Sequence, residues 1–240
     1  MKKFLALVVL SVAIPALVYS QETGEYWVRP LREVNMAAFD FDLANSDLAG
    51  EVIGSIKTAD GKQVAGAMVV INNGFYFFDA TSNKKGEYRV KGPSGNYTLE
   101  VSVPGCEKYV AEIVISRKHT VSYDVVLNSD VKVSKKGNKA LATQNNILFT
   151  INGKHPAYEG KSFYDVLVNL PLFDFSNGGL KVASSDNVTM HFNSRVNKAQ
   201  PQMLVNMLRS IPAEDVQSVK IASWGGQGKN PMMVYLHYKE

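Results

Sequence analysis

Four histidines, one cysteine and a glycine-rich loop are the places where this 240-residue chain has the residue types for chemistry. His119, His155, His191 and His237 are scattered, and none sits at the His-x-x-x-His, His-Glu-x-x-His or Cys-x-x-Cys spacing that brings two ligands to one metal. A solvent-facing polar position on a strand accounts for His191 and His237, so no metal site is expected. The loop Gly225-Gly226-Gln227-Gly228-Lys229-Asn230 has the texture of a phosphate-binding loop. Ser223 stands where GxxxxGK needs its first glycine, however, and Asn230 replaces the Ser or Thr that would hold magnesium. A connection that uses the freedom of glycine at positive φ is the better reading. Cys106 lies in no nucleophile motif, and no GxSxG elbow occurs. Asp79, Asp165, Glu214 and Asp215 each read as turn or capping residues. No catalytic residue, cofactor or metal is expected.

One aromatic cluster stands out, Phe75-Tyr76-Phe77-Phe78. In a strand two of these side chains face away from the other two, so one pair can pack while the other meets a partner or ligand. With Trp224 in the glycine-rich loop, these four form the candidate partner or ligand surface. The plainer alternative for the run is packing at the edge of a core or between domains.

The compartment follows from the first twenty residues. Lys2 and Lys3 precede an apolar run from Phe4 to Val18, and Val18-Tyr19-Ser20 ends it with a small residue. This is the pattern of a secretory signal peptide cut after Ser20. The run is short of the roughly 20 residues that span a bilayer and contains Pro15. Cys106 cannot pair within the chain and reads as a small buried filler. The formal net charge is +4, of which the leader lysines supply two, so no pull toward nucleic acid follows. The expected location is the periplasm or the periplasmic face of the outer membrane.

Residues 21–49 read as a lead-in. From Gly50 to Asn128 short β-rich runs alternate with turn residues every 8–12 positions, the spacing of a β-sandwich. The runs are Glu51–Thr58, Ala67–Asn72, Phe75–Thr81, Gly86–Val90, Asn96–Val103, Tyr109–Ser116 and Thr120–Leu127. Tyr97, Leu99, Val101 and Val103 alternate with polar residues, which predicts one buried face. The succession Asp60-Gly61, Gly86-Glu-Tyr-Arg-Val, Gly95-Asn-Tyr-Thr-Leu-Glu-Val and Pro104-Gly resembles the carboxypeptidase-regulatory-like domain, a prealbumin-type sandwich. That resemblance implies a non-catalytic module. Cys106 departs from it, standing where such domains usually carry an aromatic residue.

Ser129–Gln144 is lysine-bearing and poor in apolar residues, which predicts a linker over 129–146 and a separate second domain over 147–240. There Ile147–Ile151 reads as a strand. Ser162 caps a helix with Phe163, Val166, Leu167 and Leu170 on one face, stopped by Pro171. Gly179–Ala183 and Asn187–Arg195 read as strands. A second helix after Pro201 is expected to bury Met203, Leu204, Met207 and Leu208, and Val216–Ala222 and Met232–Tyr238 close the chain as strands. The predicted fold class is α+β, a prealbumin-like sandwich followed by a small α+β domain.

Phe163-Tyr-Asp-Val-Leu-Val-Asn-Leu-Pro-Leu, Val188-Thr-Met-His-Phe-Asn-Ser-Arg, Met203-Leu-Val-Asn-Met-Leu-Arg-Ser-Ile-Pro and the strand with its glycine loop resemble the plug domain of TonB-dependent outer-membrane receptors. A regulatory-like sandwich before a plug resembles the front of SusC-like receptors. The resemblance implies an adaptor that works with another cell-envelope protein, an outer-membrane barrel or a TonB-type complex, and meets the membrane only through that partner. Those receptors continue into a barrel, whereas this sequence ends at Glu240, so a barrel-less relative is expected. The alternatives are a stand-alone module that binds a glycan or peptide, and a truncated receptor with its barrel encoded separately.

Overall fold

The computed structural model describes residues 47–128, 137–143, 145–176, 179–193, 195–197, 201–223 and 231–239. The leader, residues 21–46, the segment 129–136 and the loop 224–230 with Trp224 lie outside the described residues.

Eight strands build the N-terminal half: β1 (Ala49–Thr58), β2 (Met68–Asn72), β3 (Phe77–Thr81), β4 (Glu87–Pro93), β5 (Gly95–Ser102), β6 (Tyr109–Ile115), β7 (Thr120–Ser122) and β8 (Val125–Leu127). One sheet runs β4-β1-β7, with β8 also on β1, and the facing sheet runs β3-β2-β5-β6. Tyr97, Leu99, Val101 and Val103 point between the sheets with Val52, Ile56 and Tyr88, as their alternation requires. Cys106 is a free, buried thiol in the same core.

The run 120–127 is two strands rather than one, and Asp124 is the reason. Its Oδ1 accepts hydrogen bonds from Ser55 N at 2.7 Å and Ser55 Oγ at 2.9 Å. That carboxylate takes the β1 donor between the β7 register, ending at Ile53 opposite Ser122, and the β8 register, starting at Ile56 opposite Val125. Gly54 is required at the same place, because a Cβ there would lie 1.8 Å from Tyr123 O.

The second half contains β9 (Lys139–Thr143), β10 (Asn146–Thr150), α1 (Phe163–Asn169), β11 (Phe173–Asp174), β12 (Lys181–Val182), β13 (Val188–Phe192), β14 (Arg195–Asn197), α2 (Pro201–Ser210), β15 (Val216–Ser223) and β16 (Met232–Tyr238). Six strands form a mixed sheet in the order β14-β13-β16-β15-β10-β9, and β11 pairs with β12. Ser162 caps α1 through a reciprocal box with Asp165. Phe163, Val166, Leu167 and Leu170 are all fully buried. α2 buries a narrower stripe than expected. Leu204 and Leu208 are inside, but Met203 is 58% exposed and Met207 38%, so α2 meets the core along a single i, i+4 row. The stretch 187–195 is likewise not one strand: Asn193, at φ 42°, turns β13 into β14.

The expected linker is a further correction. β9 lies inside it and pairs with β10 along its full length. Ala140 and Ala142 pack against the core while Lys139, Leu141 and Thr143 face out, so this edge strand needs too little apolar sequence to be visible. The two halves also share a core. Met68, Val70 and Phe77, on the outer face of the sandwich, belong to the same buried cluster as Phe149, Phe163, Leu167 and Val219. All five residues of β2 are consequently buried, one face in each core. The described residues all belong to one compact unit.

Candidate functional site

The aromatic run does not form the expected surface. Phe77 is 1% exposed and packs into the shared core, whereas Phe78 turns toward the sandwich interior, its ring 6.2 Å from that of Tyr97. Tyr76 is half-buried, and Phe75 keeps 40% exposure. Phe77 and Phe78 point to opposite faces of β3 and both pack within the chain, whereas Phe75 and Tyr76 precede the strand, so alternation does not divide the run into two pairs. Trp224 lies outside the described residues.

The side chains that come together instead form a clamp at the junction of the halves. Glu100 on β5 places Oε2 3.1 Å from Lys108 Nζ. Asn72 Nδ2 donates to Glu100 Oε1 at 3.3 Å, and Leu172 N donates to Oε2 at 3.0 Å. Lys108 also donates to the carbonyls of Leu170, at 3.5 Å, and Phe173. Ser102 Oγ donates to Asn169 O. The last carbonyls of a helix have no partner within it, and here the sandwich supplies donors at the end of α1. Leu172 sits at φ 75°, a conformation costly for a side chain with a Cβ, and its bond to Glu100 together with its burial holds it there. Sequence alternation places Glu100 on the outer face of β5 correctly. What it does not carry is that a second layer covers that face.

Beside the clamp lies an open groove of about 380 Å³ lined by Val110, Tyr164, Val168, Phe175 and Asp174. Tyr164 and Phe175 meet edge to face at 4.9 Å, and Arg209 lies 4.8 Å over the Tyr164 ring. Hydrogen bonds from Ser176 N and Oγ hold Asp174 below the usual carboxylate range.

A wider cleft of about 740 Å³ is lined by Ser55, Asp79, Asn83, Glu87, Arg89 and Asp124. Its polar groups are engaged in the fold. The two bonds from Ser55 hold Asp124 low. Asp79 is raised by burial, a shift opposed by the hydrogen bond it accepts from Ala142 N of β9 at 2.7 Å. Arg89 pairs with Glu51 at 2.9 Å, and Asn83 donates to Glu87 at 2.9 Å.

His155 heads the 3-10 turn Pro156–Tyr158, its Nδ1 accepting from Ala157 N at 3.2 Å. Burial lowers its pKa, so the neutral ring that can accept is favoured. Tyr158 is pushed up to about 12 by burial, and its hydroxyl accepts from Asn138 Nδ2 at 2.7 Å. His191 stacks on Tyr235. Among the described residues, no group of three or more His, Cys, Asp or Glu is placed to hold a metal ion. No helix among them is long and apolar enough to cross a membrane.

Residues 51–128 match the carboxypeptidase regulatory-like domain, in agreement with the eight-stranded sandwich. No curated protein matches the sequence. Among solved structures, the chain is similar to the Bacillus anthracis TIE protein at 12% identity and a TM-score of 0.32, over 43% of this chain and 28% of that one. It is also similar to a DUF3823 family protein from Parabacteroides merdae, at 13% identity and TM-score 0.28, over 45% of this chain and 59% of that one. A third, a putative carbohydrate binding protein from Bacteroides uniformis, is 14% identical with TM-score 0.30, over 77% of this chain and 97% of that one. The chain thus spans less than two thirds of the first two. These likenesses are remote, and none bears on what this chain binds.

Proposed function

We propose that the chain is a non-enzymatic, exported adaptor of the cell envelope, which binds another envelope protein and holds it in a fixed relation to the sandwich. The observation that carries this reading is the use of its polar groups. In the clefts and at the junction, carboxylates and histidine that could act on a substrate are tied to the fold: Asp124 to Ser55, Asp79 to Ala142, Glu100 to Lys108 and Leu172, and His155 to Ala157. Groups bound in this way position backbone rather than protons in flight. Export rests on the leader, and the relation to a receptor plug rests on the sequence phrases around Phe163, Val188 and Met203.

Cross-linking of the full chain in intact cells, followed by fractionation, tests the reading. Recovery in the periplasmic or outer-membrane fraction, joined to one specific envelope protein, is expected. Intact Met1 on cytoplasmic material, or a chain joined to nothing, would reject it. A second reading, a glycan-binding module, has one observation in its favour: His191 and Tyr235 stack at 4.5 Å with 25° between the rings on a sheet face, a shape that suits a sugar ring.

A further inference from the structure

The face of the six-stranded sheet turned away from its core has no covering layer among the described residues. Strand registers set Leu141, Leu148, Lys220, Tyr235, His191 and Val196 in one row across all six strands. Leu141 is 64% exposed, Leu148 37% and Val196 53%, so exposed apolar side chains stand toward both edges of the sheet, with Lys220, Tyr235 and His191 between them. The charged side chains that the strands present on this face are Lys139 and Lys220, with His191 and His237 beside them. Every other described strand position on the face is neutral, and none is a carboxylate.

We propose that this face is the docking surface for a partner protein that presents acidic side chains among apolar ones, a proposal that rests on the adaptor reading above. Exposed apolar side chains interspersed with charge of one sign have the composition of an interface in which apolar contact excludes water and the charges set orientation. A second copy of the chain does not complement it. Setting the face against itself brings lysine toward lysine with no carboxylate to neutralise either.

The test places a photo-crosslinker in place of Leu148 in the full chain and a second, separately, in place of Val114, which is 59% exposed on the sandwich. The expected product joins position 148 to a partner peptide rich in Asp and Glu. Lys220→Glu should lower its yield about tenfold, while Lys84→Glu, the same charge change on an exposed sandwich turn, leaves it unchanged. Soluble dextran, a neutral glycan, should not compete; competition would identify the face as a glycan platform and overturn the proposal. A homodimer, a partner peptide without acidic residues, or an unchanged yield with Lys220→Glu would also overturn it. If position 114 captures an envelope protein and position 148 does not, the adaptor reading stands and this surface assignment falls. Capture at neither position removes both.

Discussion

Lys108→Met removes the cation of the junction clamp and leaves its carboxylate behind. The Glu100 side chain is 7% exposed, and without Lys108 it retains two neutral donors, Asn72 Nδ2 at 3.3 Å and Leu172 N at 3.0 Å. Removing one partner of a buried ion pair costs about 3–5 kcal/mol, because the remaining charge is stranded in a medium that solvates it poorly. The Lys108 side chain keeps 17% exposure, so water reaches the site and the lower end, about 3 kcal/mol, is expected. Adding Glu100→Gln takes away the stranded charge yet keeps an oxygen able to accept from Leu172 N. The double variant should recover about 2 kcal/mol of that loss, the signature of direct coupling. Urea unfolding followed by far-ultraviolet circular dichroism measures all four corners of the cycle. A Lys108→Met cost under about 0.5 kcal/mol, or effects that simply add, would show that the clamp does not hold the halves together.

Leu167→Ala, at a fully buried site on α1, should cost about 2–5 kcal/mol in the same assay, whereas exposed Met203→Ala on α2 should stay within about 0.5 kcal/mol. Gly54→Ala should destabilise by more than about 2 kcal/mol, since its Cβ would meet Tyr123 O at 1.8 Å; a melting temperature equal to that of the unmodified chain would refute the close approach. His155 is held below its ordinary value of 6.5, so the unfolded chain takes up the proton first, and its contribution is complete above about pH 6.5 and declines as pH falls below that. His155→Asn keeps a side-chain acceptor for Ala157 N, and the unfolding midpoint should then depend less on pH between about 7.5 and about 5.

Much of the sandwich was legible because its strands have one buried face and turns at regular spacing, so Tyr97, Leu99, Val101 and Val103 declare themselves. α1 was legible for a similar reason, with a cap at Ser162, a clean apolar row and Pro171 after it. What failed depends on contacts distant in sequence. β2 reads as an ordinary strand, and nothing local says that Met68 and Val70 meet a second core. Glu100 reads as a wet position until the turn after α1 covers it, and Phe77 reads as a possible partner surface until the second half packs over it. β9 has the composition of a linker because an edge strand with alanines inward buries little. The row from Leu141 to Val196 likewise exists only once six strands are in register, so no window of sequence contains it.

The two halves form one interlocked unit, and a cut between them tests this most directly. A protease site inserted within residues 129–136 allows the folded chain to be cleaved between the sandwich and β9. Size-exclusion chromatography of the cleaved protein under native conditions should show both pieces eluting together at the volume of the uncut chain, held by the shared core around Met68, Val70 and Phe77 and by the Glu100–Lys108 clamp. Elution as two separate folded pieces would contradict it.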